Sequence, residues 1–460
     1  MEVPANVPQM TYMTKCLAAF LALSTTATTP AIANPAQDAL EGDDLAWDIV
    51  EGLTTEIGPR QAGTDAEARA RLWALAKLEA LGFDNVRSEE FQMKTWVRGE
   101  ETAAVTSPFP QKMAITALGN SASTGESGLT AQVRYFQTLA DLKAVPDGSL
   151  AGKIAFVSHT MKPTQSGAGY GFAGPVRWFG PSIASTKGAA AIVIKSVGTD
   201  RHRNPHTGGT GFAEGVKPIP AGALSIPDAE NLERMFLRGK PIEMTVKLTP
   251  RDIGMQTSGN VIAEVTGSDA SLPPIIIACH LDSWDLATGA IDDGAGCAII
   301  TAAALHVKKA GQPKRTIRLL WAGAEEVGIW GAKAYGEKHK NEPHGLAMES
   351  DFGADRVWQV IFKLPESAKK LSDEITTALA PLGILRGQGA ARGGADIGPI
   401  IAAQNTGIID LRQDGTRYFD LHHTPDDTLD KIDKAQLRQN VAAWTAVLQL
   451  VANYDGKLKP

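Results

Sequence analysis

Cysteine is scarce in this sequence: Cys16, Cys279 and Cys297 are the three present. A scaffold stapled by disulfides is excluded at that density. Basic charge is not in excess either. Forty-five lysines and arginines against 51 acidic residues leave a formal charge of -6. Binding to nucleic acid or to an anionic membrane would need a basic patch, so neither is expected as a partner. Internal repeats and low-complexity tracts are also lacking, and with 43% hydrophobic and 21% charged residues the chain reads as a soluble globular protein. Its 460 residues suffice for two domains, or for one domain carrying a large insertion.

The N-terminus has Lys15, an apolar stretch from Cys16 to Leu23, then Ser and Thr residues leading to Ala31-Ile32-Ala33. That is the order of a secretory signal, with cleavage expected after Ala33. Its eight apolar residues fall far short of the roughly 20 that span a bilayer, so export to a secreted or periplasmic location is expected, without a membrane anchor. Met13 is an alternative start. With Cys16 removed, Cys279 and Cys297 are expected as two buried thiols inside core elements.

Leu45, Ile49, Val50 and Leu53 recur at helical spacing. A second helix is predicted from Thr64, with Glu67 completing a capping box and Leu72, Leu75, Leu78 and Leu81 leading to a stop at Gly82. From about 117 to 252 short β-type runs such as KIAFVSH and AAIVIK alternate with Gly- and Pro-rich loops. This predicts a β-rich module with one short helix near Asp228 to Arg238, inserted between 34–116 and 253–460. Thr164 to Ser182 and Val197 to Phe212 are expected as loops rimming a substrate cleft. Beyond 257, PPIIIACH, GAGCAIITAAALHV, TIRLLWAG and LAMESD alternate strand and helix. They predict an α/β fold whose mixed, mostly parallel central sheet is flanked by helices. A last helix, 433 to 453, is expected to bury Leu437, Val441, Trp444, Leu448 and Val451.

The chemistry gathers where apolar runs give way to glycine: His280-Leu281-Asp282, GAIDDGAGCA around Asp292, AGAEEVGIWGAKAY around Glu325 and Glu326, then Asp351 and His422-His423. Taken singly these are ordinary features: acidic first turns, helix caps, loop carboxylates and surface histidines. Together, in order at successive predicted strand ends, they supply the nitrogen and oxygen ligands of a carboxylate-bridged pair of zinc ions. Asp292 suits the bridge, His280 and Asp351 complete one ion, and Glu326 with His423 the other. Asp282 is placed to accept the hydrogen bond of the second His280 nitrogen. Glu325 is the candidate general base and His422 the candidate donor to an oxyanion. Among the other histidines, His306, His339 and His344 read as structural or solvated, and His159 as part of the insertion's interior. Pro205 between His202 and His206 argues against a further metal site.

These motifs, with EIGPR at 56 to 60, WVRGE at 96 to 100 and LRQDGTRYFDLHHTPDDTLDKID, resemble the co-catalytic zinc exopeptidases. That family includes bacterial leucyl aminopeptidases and glutamate carboxypeptidase II, and the likeness is greatest to its carboxypeptidase Q branch. The resemblance implies two zinc ions on the same five ligands, Glu325 as base, Asp282 orienting His280, and a protease-associated-like insertion beside the cleft. Family spacing to Asp427 and Thr428 selects His423 over His422 as the ligand. Where relatives commonly carry serine, this chain has Ala395. The expected activity is aminopeptidase or dipeptidase action on short peptides, with carboxypeptidase action on the same core as the alternative and a non-catalytic binding protein as a third reading. A homodimer is left open.

Overall fold

The computed structural model describes residues 34–460; the expected signal at 1–33 lies outside them. Two eight-stranded sheets organise the described chain. The first runs in spatial order Asp84–Val97, Arg251–Val265, Ile317–Ala322, Ile275–His280, Leu346–Glu349, Gly407–Gln413, Val357–Lys363 and Leu385–Arg386. Its four central strands, 317–322, 275–280, 346–349 and 407–413, pair in parallel, while the flanks add antiparallel pairs.

The fully buried run Ile275–His280 shows why the sheet is covered on both faces. Ile275, Ile277 and Cys279 join the core under the helices Ala295–Ala310 and Lys434–Val451, whereas Ile276 and Ala278 face Tyr335, Ile397 and Ile400 on the other side. Alternate side chains of a strand point to opposite faces, so an unbroken apolar run needs two apolar partners. Ala290–Ala310 is apolar and long enough to cross a membrane, yet 94% of its apolar window is buried inside the protein; it is a core helix. The last helix buries all five residues expected of it.

Several sequence expectations change. Cys279 and Cys297 form a disulfide: the helix bearing Cys297 packs directly on the strand bearing Cys279, with Cα atoms 5.1 Å apart. The stretch expected as a loop from Thr164 to Ser182 instead holds most of the 18-residue helix Gly169–Thr186, with Pro175 and Pro181 inside it. Burial of Ala173, Val176 and Ala184 outweighs its poor intrinsic propensity. Thr64 caps its helix by accepting the Glu67 amide, but the Glu67 carboxylate turns to Arg71 and Ser258 instead of closing the box. Leu72 on that helix is 67% exposed.

The second sheet draws on strands from Glu101–Ser107 to Glu243–Leu248, so it begins before residue 117. It carries the helices Leu139–Ala144, Gly169–Thr186 and Ile226–Phe236, two more than expected.

Candidate active site

Parallel register aligns the strand ends that carry the chemistry. His280 pairs with Ala322, and Ala278 with Glu349, so the segments beginning at 281, 323 and 350 leave the sheet along one edge. This is the carboxyl edge, where open α/β sheets bind ligands. A fourth segment, His422-His423, reaches the same place from the loop after Tyr418–Leu421.

There the structure brings together all eight residues singled out in the sequence. His280 Nε2 lies 3.1 Å from Asp292 Oδ1 and 3.5 Å from Asp351 Oδ1. His423 Nε2 lies 3.2 Å from Asp292 Oδ2 and 2.9 Å from Glu326 Oε2. The two oxygens of Asp292 thus face two different clusters. His422 Nε2 also approaches Asp292 Oδ2, at 3.6 Å, and His280 and Asp282 sit fully buried behind the others. A cavity of about 570 Å³ opens over the site, lined by Asp292, Glu325, Glu326, Asp351, His422 and His423.

Hydrogen bonds select the ring nitrogens. His280 Nδ1 meets the backbone carbonyl of Asp282 at 2.9 Å, and His423 Nδ1 meets that of Thr207 at 3.2 Å. A proton on His280 Nδ1, donated to that carbonyl, leaves its Nε2 lone pair free for a cation, whereas His423 Nδ1 lies between the Thr207 carbonyl and the donor-only Arg177 guanidinium, 3.3 Å away. The expected carboxylate contact of Asp282 differs: its Oδ1 is 3.9 Å from His280 Nδ1 and instead accepts the Glu325 amide at 3.0 Å. Sheet geometry points that carboxylate across to the neighbouring strand's end, so Asp282 braces Glu325 as well as His280.

The electrostatics call for positive charge. Burial, with Asp351, Glu326 and Asp282 close by, raises the Glu325 carboxyl well above its ordinary range despite His280. Burial opposes charge on His280, yet Asp351 and Asp292 raise its pKa well above normal. Asp292 Oδ2, Glu326 Oε1 and Asp282 Oδ2 are buried without a hydrogen-bond partner. Orphaned carboxylate oxygens converging with imidazole nitrogens fit divalent metal, and the mixed nitrogen and oxygen set suits zinc. Two overlapping ligand groups share Asp292: His280 with Asp351, and His422 with His423. Glu326 Oε2 lies 2.9 Å from His423 Nε2, whereas His422 Nε2 stands 3.6 Å from Asp292 Oδ2.

Sequence reasoning missed the supports. Arg60 donates to the carbonyls of Leu281, Thr288 and Gly289 at 2.6 to 2.8 Å, tying the segment that follows His280 to the backbone just before the Asp292 turn. Asp427 accepts the amides of Ile291 at 2.6 Å and Asp292 at 3.3 Å, and burial beside Asp292 pushes its pKa up to about 7. Arg60 lies in EIGPR and Asp427 in the long C-terminal motif, so both carried a signal without a role. Tyr170, Arg177 and Trp178, from the helix taken for a loop, form the facing wall of the cavity with Gly209 to Gly211, and Ala395 also lines it. Among the remaining histidines, His306 pairs with Asp43, His339 with Glu89 and Glu342, and His344 with Tyr335. His159 packs on Phe172.

Residues 260–448 match the sequence profile of Peptidase family M28. Carboxypeptidase Q of Mus musculus is 33% identical over 409 residues, covering 88% of this chain and 85% of that protein. The crystal structure of a peptidase M28 precursor from Shewanella amazonensis superposes with a TM-score of 0.89 at 44% identity, covering 93% of this chain and 97% of the other. A zinc aminopeptidase from Bacillus subtilis shares the fold at 22% identity and a TM-score of 0.64, covering 93% and 98%. With its matched segment spanning the strand ends and the tandem histidines, the chain belongs to peptidase family M28.

Proposed function

We propose that this M28 peptidase is a secreted dizinc exopeptidase that removes the N-terminal residue of short peptides or splits dipeptides. His280, Asp292 and Asp351 would hold one zinc ion, and Asp292, Glu326 and His423 the other. The observation that carries this reading is Asp292, whose two carboxylate oxygens face separate nitrogen-and-oxygen clusters at 3.1 and 3.2 Å. Zinc in such a site supplies Lewis acidity and makes water nucleophilic near neutral pH.

The chain's own groups then move the proton. Glu325 takes it from the attacking water and delivers it to the leaving amine nitrogen. Its backbone is held by Asp282. His422, stacked on His423 with ring centroids 3.5 Å apart, donates to the developing oxyanion. Tyr170 and Trp178 shield the cleft on the opposite side. The module at 117–252 is read as protease-associated-like, and residues 1–33 as a signal removed before the mature chain acts. N-terminal sequencing of exported protein beginning at Asn34 would support that processing.

Carboxypeptidase action is the second reading, favoured by the 33% identity to Carboxypeptidase Q. Dipeptides blocked at one end separate the two. Aminopeptidase action predicts loss of turnover when the amino end is blocked; loss on carboxyl blocking alone would overturn it. Chelation should abolish hydrolysis and zinc restore it.

A further inference from the structure

His206 is buried and lines no part of the catalytic cavity, yet it touches the catalytic loop. One ring nitrogen, Nδ1, meets the His422 carbonyl at 3.0 Å; the other meets the carboxylate of Asp200, itself buried. Its backbone amide donates to Ser196 Oγ at 2.9 Å. The residue therefore has an acceptor at each ring nitrogen and a fixed backbone, as a support needs.

The contact belongs to a continuous seam. The Thr199 amide donates to the Phe419 carbonyl at 3.1 Å, and the Thr207 amide to the His423 carbonyl at 3.0 Å. Thr207 in turn accepts His423 Nδ1 at 3.2 Å, and Asn204 Nδ2 donates to Asp426 at 2.8 Å. His423 has φ of 63°, a left-handed conformation that costs a non-glycine residue unless its surroundings enforce it. The carbonyls on both sides of that torsion, those of His422 and His423, are the ones held from 206 and 207.

We propose that His206, braced by Asp200, is a positioning residue that fixes the His422–His423 backbone in its left-handed turn and so aims both imidazoles at Asp292. The seam lets the module of the second sheet complete a site whose acids all come from the first. This inference rests on the two-zinc reading for its consequence, though the contact itself does not.

Hydrogen–deuterium exchange and zinc titration of the whole protein test it. His206→Leu should speed amide exchange across 419–427 at least tenfold, with or without zinc. It should also weaken one zinc site about 10- to 100-fold. His206→Gln, which keeps an N–H donor, should recover part of both. Wild-type exchange in the leucine variant overturns the proposal, as does faster exchange with wild-type zinc affinity, which would make His206 an ordinary packing contact. Should that variant not fold, Asp200→Asn decides: exchange of the same amides at least threefold faster supports the proposal, and a smaller change overturns it. Zinc stoichiometry of the unaltered chain judges the two-ion reading separately. A chain that binds fewer than two ions defeats that reading, and exchange measured without metal then decides the role of His206.

Discussion

The cavity has two walls with different origins. One, with Asp292, Glu325, Glu326 and Asp351, follows strand ends that are close in sequence and aligned by parallel pairing. The other is a helix and a loop of the second sheet's module, Gly169–Thr186 and the stretch around Gly209 to Gly211. The first wall is dense in buried carboxylates, and the second presents aromatic groups and Arg177. The acidic groups gather at the carboxyl edge of the central sheet, and the aromatic groups facing them across the cavity come from the Gly169–Thr186 helix.

If that division is right, substitutions on the two walls should separate kinetically. The largest effect is expected at Asp292→Ala, which removes the shared carboxylate: zinc content should fall and hydrolysis should drop below detection, measured by elemental analysis and peptide turnover. Glu325→Gln should retain zinc but lower kcat about 10²- to 10⁴-fold with little change in KM. Retention of wild-type kcat there would remove Glu325 from the chemistry. On the facing wall, Trp178→Ala should raise KM about tenfold and leave kcat within a factor of about three, because it removes contact area shared by substrate and transition state. A fall in kcat equal to that of Glu325→Gln would erase the distinction between the walls.

The same division governs what could be read from the sequence. His280, Asp292, Glu325, Glu326 and Asp351 were legible because each follows an apolar run, and continuous apolar strands betray a covered sheet whose carboxyl edge binds ligands. His423 was separated from His422 by family spacing; in the structure its Nδ1 meets the Thr207 carbonyl at 3.2 Å and its Nε2 lies 2.9 Å from Glu326. The facing wall was not legible as structure. Gly169, Gly171, Gly174, Gly180, Pro175 and Pro181 argue for a loop by propensity, and only packing against the second sheet makes that segment helical. Arg60 and Asp427 were visible as motif residues, but their partners lie more than a hundred residues away. The disulfide was missed for a related reason: both cysteines were placed in core elements, and which elements pack together is not a local property.

A region belonging to neither wall provides the control, and the smallest effect on activity. Glu89 is buried on the edge strand of the first sheet, where it pairs with His339 at 3.0 Å and with Lys338 at 3.3 Å. Burial alone would raise its pKa, but the hydrogen bond and charge of His339, helped by Lys338 and Arg87, hold it down at about 2. Because the folded-state value lies below the ordinary 4.5, the pair stabilises the fold above about pH 4.5. That contribution is lost as pH falls towards 2. Glu89→Gln should therefore lower stability in urea unfolding at pH 7 and flatten the loss of stability on acidification between pH 4.5 and 2. Zinc content and kcat/KM at pH 7 should stay within twofold of the unaltered chain. A difference in stability that does not shrink over that range would show that the ion pair is not its source. A change in kcat/KM beyond twofold would mean that the sheet edge and the catalytic edge are coupled, and that the site depends on more of the first sheet than its strand ends.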